Sequence, residues 1–121
     1  MAGFQPDDWP TVTPRLFTTD VVGLVAFLKA VFGAEGDLQD SAPTDLRIGD
    51  SRVMVSDGGG VREASLAFLY VYVPDADEAY QRAMALEAMS IEAPAEMPYG
   101  DRRATVRDPW GNTWQIATHL A

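Results

Sequence analysis

The chain has 121 residues, 47% of them hydrophobic, which suits one domain, 1–121, with a buried core. A formal net charge of -9 excludes the clustered Lys and Arg excess that binding to nucleic acid or to an anionic membrane surface requires. Cysteine is absent, so disulfides, thiol nucleophiles and thiolate metal sites are excluded too, a usage that suits the reducing cytosol.

Met1 to Pro10 is acidic and proline-bearing where a secretory signal would be basic and then apolar. No apolar run approaches the ~20 residues of a membrane span. The expectation is a soluble cytoplasmic protein whose partner is a small organic molecule.

In chain order, Val12 to Thr18 reads as a strand, and Asp20 stands at the N-cap of a helix. Val21, Leu24, Val25, Leu28, Val31 and Phe32 follow at helical spacing, and Gly33 closes the helix. Leu38 to Gln39, Asp45 to Ile48 and Arg52 to Ser56 read as short strands, the last two joined by a tight turn at Gly49-Asp50. Gly58-Gly59-Gly60 lacks the Lys and Ser or Thr of a phosphate loop and reads as a joint.

The order then repeats. Ser65 to Val73 reads as a strand, Asp75 as a cap with Glu78 completing a capping box, and Ala79, Ala83 and Leu86 as a helix face. Strands follow near Ser90 to Ile91, Arg103 to Val106 and Thr113 to Thr118. Asp108-Pro109-Trp110-Gly111 is the last hairpin turn, with proline second and glycine fourth. Strand, helix and three strands therefore occur twice: module one spans 11–57, a connector 58–64, and module two 65–119.

This order resembles the vicinal oxygen chelate superfamily, which holds glyoxalase I, extradiol dioxygenases, and fosfomycin- and bleomycin-resistance proteins. The residues that carry the resemblance are Pro14-Arg15-Leu16-Phe17, Asp20 and Phe32-Gly33-Ala34-Glu35 in the first module. In the second they are Val73-Pro74-Asp75-Ala76-Asp77 and Asp108-Pro109-Trp110-Gly111-Asn112-Thr113-Trp114. Phe32 to Glu35 and Tyr99-Gly100-Asp101-Arg102 look most like the demethylubiquinone-methyltransferase-like glyoxalase-fold proteins. The resemblance implies an α+β fold of two βαβββ modules whose curved mixed sheets surround a cavity. It also implies a homodimer.

In metal-using members each module gives one ligand from its first strand, seven residues before the capping Asp, and one from its last. Those positions here are Thr13, Met54, Phe68 and Gln115. The usual occupants are His, Glu or Gln, and a hydroxyl, a thioether, a benzene ring and one amide do not make a divalent-metal site. No metal and no cofactor is expected.

Strand alternation separates a helix-facing set from a cavity-facing set. Val12, Leu16, Val53, Val55, Ala67, Leu69, Val71, Val73, Trp114 and Ile116 form the first, almost wholly apolar. The second contains Arg15 and Phe17, then Arg52 and Met54, then Phe68, Tyr70 and Tyr72, then Arg103 and Gln115. These nine are the candidate ligand-binding residues: rings to stack on a flat aromatic ligand, and arginines suited to an anionic group such as a carboxylate or phenolate. The same pattern also fits a packed core or dimer seam for Phe17, Met54 and Phe68, and ion pairs for the arginines. His119 reads as an exposed tail residue, Glu63, Glu92 and Glu96 as loop residues, and no catalytic residue is assigned.

The functional expectation is a metal-independent protein that sequesters or carries an aromatic molecule, neutral or anionic, for example an antibiotic or a biosynthetic intermediate. The alternatives are a metal-free isomerase, cyclase or lyase using the same residues and, third, a metal-dependent lyase or dioxygenase.

Overall fold

A computed structural model describes residues 3–40, 43–58 and 66–120. They fall into two compact units, one formed by 1–29 with 33–65 and the other by 66–121 with 30–32.

The first unit opens with β1 (Arg15–Thr18), followed by α1 (Val21–Phe32), β2 (Thr44–Ile48) and β3 (Ser51–Asp57). The sheet order is β1-β3-β2, with β1 parallel and β2 antiparallel to β3. Asp20 caps α1 by accepting the Gly23 amide at 2.9 Å, which satisfies one of the helix's free N-terminal donors. Gly33 ends it at φ 69, where a side chain would strain the backbone. Leu16, Val53 and Val55 are buried, the face expected from alternation, and Leu46 of β2 is buried as well.

Two elements of this unit differ from expectation. The Val12 to Thr18 strand begins only at Arg15, and Val12 is exposed rather than packed under a helix. Pro14 has no N–H to give a ladder, and only its carbonyl is used, by the Met54 amide. Leu38 to Gln39 is not a strand; pairing there is reduced to one bridge between Glu35 and Arg47. Gly36, at φ +147, explains why: a Cβ on it would lie 2.4 Å from the Asp45 carbonyl oxygen, so the chain presses against β2 edge-on and turns away.

The second unit has β4 (Phe68–Tyr72), α2 (Ala76–Ala85), β5 (Met89–Glu96), β6 (Asp101–Arg107) and β7 (Thr113–His119). Its sheet order is β4-β7-β6-β5, with β4 parallel to β7 and the other pairs antiparallel. In both units the first strand thus lies parallel beside the last, which is the internal repetition read from the sequence. α2 packs on β5, β6 and β7 through Ala76, Ala79 and Ala83, whose small side chains admit close approach. Beneath it lie Ala104, Val106, Trp114 and Ile116, all fully buried. Arg102 reaches the same side and pairs with Asp77 at 2.7 Å.

Asp75 caps α2 as expected, but Glu78 pairs forward with Arg82 instead of closing a capping box. Glu92 and Glu96 belong to β5, not to a loop. Two register shifts and Pro94 blur its alternation, which an edge strand tolerates. His119 ends β7 rather than fraying. Ser65, Glu63 and most of the expected connector, from Gly59 onward, lie outside the described residues. Among the described residues no helix is long and apolar enough to cross a membrane.

Candidate functional site

The face of the second sheet turned away from α2 collects side chains by register. Strand pairing places Tyr70 beside Gln115, Gln115 beside Thr105, and Thr105 beside Glu92, so one row crosses all four strands. The row on one side holds Phe68, Thr113, Arg107 and Met89, and the row on the other Tyr72, Ala117, Arg103 and Ala95. Five expected residues, Phe68, Tyr70, Tyr72, Arg103 and Gln115, therefore share one surface. Phe68 is 66% exposed and Tyr72 61%, so their rings are open to a ligand. Tyr70 meets Tyr72 edge-on, with centroids 5.3 Å apart. Beside Phe68 lies a hollow of 460 Å³ walled by Leu66, Thr113 and Arg107.

The polar groups of this face form one chain of hydrogen bonds. Tyr70 and Tyr72 both donate to Oδ2 of Asp101, at 2.5 and 2.9 Å, and Nδ1 of His119 lies 2.9 Å from Oδ1. Tyr99 joins Tyr70 to Arg103, each contact 3.0 Å. Arg103 also pairs with Glu92 at 3.0 Å; Glu92 accepts from Thr105, which accepts from Gln115. The Nε of Arg103 is buried with no partner.

These bonds set the ionisation of their members. Hydrogen bonds from Tyr70, His119 and Tyr72 hold the Asp101 carboxyl below its usual range. Burial and the bond to Asp101 push the Tyr70 phenol up, and for Tyr72 the bond to Asp101 leads. The Thr105 hydroxyl, ahead of Arg103, holds Glu92 low.

A pH dependence of stability follows. A lowered carboxyl contributes stability above its unfolded pKa and loses it as pH falls through the folded value, whereas a raised phenol contributes below its unfolded pKa and loses it on the alkaline side. The melting temperature is therefore expected to hold between about pH 4 and about pH 10 as far as this cluster is concerned, and to decline on both sides. In Tyr70→Phe with Tyr72→Phe, circular-dichroism melts should show a flatter alkaline limb. An unchanged limb would remove the phenols from the linkage.

The other four expected residues lie on the first sheet. Arg15 sits beside Met54, and Phe17 beside Ser56. Arg15 donates to Ser56 at 3.0 Å and its guanidinium lies 5.1 Å from the Phe17 ring centroid. Arg52 covers Trp9 at 4.8 Å and reaches the Asp8 carbonyl. Arg15 and Ser56 also border a cleft of 630 Å³, whose described walls include Asp20, Asp40 and Asp57 and no aromatic ring. The second sheet, with its exposed rings, is the better candidate surface for an aromatic ligand.

Asp101, Tyr99, Thr105 and Arg107 were not among the expected residues. Alternation from Arg103 through its own strand places Asp101, Thr105 and Arg107 on the same face, and this signal was available. Tyr99 precedes the strand, where alternation gives no direction, and it stood only in the phrase that carries the resemblance.

The residues at the ligand positions do not fit a divalent metal. Thr13 precedes β1, Met54 and Phe68 offer no hard donor, and the Gln115 amide nitrogen is turned to Thr105. Among the described residues no three His, Asp or Glu converge as a metal site would require.

Comparison with known proteins accords with this architecture. The family described as Glyoxalase/Bleomycin resistance protein/Dioxygenase superfamily matches residues 11–116. The uncharacterized proteins Mb0911c of Mycobacterium bovis and Rv0887c of Mycobacterium tuberculosis are each 28% identical over 127 residues, spanning 88% of this chain and 82% and 73% of their own. Among solved structures, TioX from Micromonospora sp. ML1 superposes with a TM-score of 0.74 at 29% identity, covering 92% of this chain and 99% of its own. The fosfomycin resistance protein FosX from Mesorhizobium loti gives 0.69 at 19% identity, covering 92% of each chain, a likeness of fold alone.

Proposed function

This chain belongs to the Glyoxalase/Bleomycin resistance protein/Dioxygenase superfamily, and within it we propose a metal-independent protein that sequesters or carries a small aromatic molecule, such as an antibiotic or a biosynthetic intermediate. The observation that carries the reading is the face of Phe68, Tyr70 and Tyr72: three rings on one strand, two of them more than half exposed, beside a row of ordered polar groups. Rings left in water at this density are costly unless something covers them part of the time. The donor-poor ligand positions support independence from metal. The homodimer belongs to the same reading on the resemblance.

Support for an anionic ligand is weaker, since Arg103 is committed to Glu92 and Tyr99 and Arg15 to Ser56 and Phe17.

The test uses 2-naphthol as probe, added to the ¹⁵N-labelled full chain with and without a chelator. Expected are amide shifts concentrated on Phe68 to Tyr72 and Thr113 to Ala117, the same affinity in both conditions, and probe recovered unchanged. Shifts spread evenly, or binding that vanishes with chelation, would refute the proposal.

One observation favours the alternative of a metal-free enzyme: the line of hydroxyls from Tyr99 through Tyr70 to the Asp101 carboxylate, with Arg103 holding the Tyr99 end, along which a proton taken from a ligand can be passed. Conversion of a bound ligand that survives chelation and stops in Tyr70→Phe would establish it.

A further inference from the structure

The direction of each proton in the network can be assigned, and together they determine what the face offers a ligand. Asp101 is ionised and so only accepts. A phenol has one proton, and Tyr70 gives its proton to Asp101. The contact between Tyr70 and Tyr99 must then run from the Tyr99 hydroxyl to the Tyr70 oxygen, and the Tyr99 oxygen in turn accepts from Arg103. Tyr72 also spends its proton on Asp101. His119 must present Nδ1–H to the carboxylate, so this nitrogen too is turned inward.

Every phenol proton is thereby turned inward, and at the Tyr72 and Tyr99 end of the face what remains outward is lone pairs; Arg107 stands at the other end, beside Phe68. Tyr72 is 61% exposed and Tyr99 57%, so these acceptors are within a ligand's reach. The carboxylate that orders them is only 1% exposed and is not itself a contact. An anionic or acceptor-only group placed here would meet oxygen against oxygen. Turning a phenol round to greet it would strip the buried Asp101 of a hydrogen bond.

We infer that the polar end of this face is an acceptor array, and that its ligand is a neutral or cationic aromatic molecule bearing O–H or N–H donors rather than a carboxylate or phenolate. The inference rests on the reading of the second sheet's outer face as the binding surface.

Four probes share one ring system and differ at one substituent: 2-naphthol, 2-naphthylmethylammonium, 2-methoxynaphthalene and 2-naphthoate. Each is titrated into the ¹⁵N-labelled full chain near neutral pH. The two donors should bind about tenfold tighter than the acceptor-only ether and the anion, the ratio expected of one satisfied against one opposed hydrogen bond. Tyr72→Phe, which removes an exposed acceptor and keeps the ring, should bring the four within about threefold of one another. Asp101→Asn should also narrow the gap by releasing phenol protons; if that variant does not fold, Tyr72→Phe decides alone. Binding at Phe68 to Tyr72 with naphthoate or the ether as tight as naphthol overturns the inference and leaves the binding face standing. No shift there with any of the four overturns the binding face and the inference with it.

Discussion

Asp108→Ala is expected to lower the free energy of unfolding by about 3–5 kcal/mol, measured by urea denaturation. One carboxylate, 3% exposed, holds four donors. Its Oδ1 accepts the amides of Trp110 and Asn112 at 3.0 and 2.9 Å, and its Oδ2 the Asn112 side chain and the Trp114 indole at 3.0 and 2.8 Å. Removing it leaves buried N–H groups that water cannot reach, and each such loss is expensive. The more discriminating variant is Asp108→Asn, which keeps Oδ1 but points an NH₂ at two donors. It should lose more than half of what alanine loses. Tolerance of asparagine within about 0.5 kcal/mol would mean that shape, not charge, organises the turn. The effect reaches the candidate site, because Asn112 accepts the Ala67 amide at 3.0 Å and the Thr113 amide donates to the Ala67 carbonyl at 2.9 Å. The start of the aromatic strand thus hangs from this turn, and hydrogen exchange at Phe68 should quicken in both variants.

What could be read from the sequence was whatever is local. Asp20, Gly33 and Asp75 announce helix ends because a cap is decided within three or four residues. The Asp108 to Gly111 turn is visible for the same reason, with the Gly111 amide returning to the Asp108 carbonyl at 3.0 Å. Strand parity sorted Phe68, Tyr70, Tyr72, Arg103 and Gln115 from Trp114 and Ile116 because one face of each strand is buried. The non-local features were not legible. Nothing in the composition around Gly36 tells that its α-carbon lies against the Asp45 carbonyl, the contact that dissolves the expected Leu38 strand. The Asp101 cluster draws on β4, β6, β7 and the turn before β6, and no spacing along the chain encodes such a meeting. His119 looked like a tail residue because it lies near the end of the sequence, yet its partner is 18 positions away on the neighbouring strand.

Tyr70→Ala is expected to weaken 2-naphthol binding about ten- to a hundredfold, more than any other single ring removal on this face. Tyr70 is the middle ring of three: Phe68 and Tyr72 are four residues apart, about 13 Å along the strand, and a bicyclic probe cannot cover both ends at once. It can always reach the centre. Tyr70 is also the least exposed of the three, at 37%, so its ring is the best held. Because it touches Tyr72 edge-on, the losses from Tyr70→Ala and Tyr72→Ala should combine to less than their product, whereas Phe68→Ala and Tyr72→Ala should multiply independently. Tyr70→Phe separates the two tasks of this residue: the ring remains, so affinity for the acceptor-only ether should hold, while preference for the donor probes falls because the Tyr99 proton loses its acceptor. Circular-dichroism melts of each variant distinguish loss of the surface from loss of the fold. Should all three alanine variants bind within about twofold of the native chain, the aromatic strand would have no part in recognition.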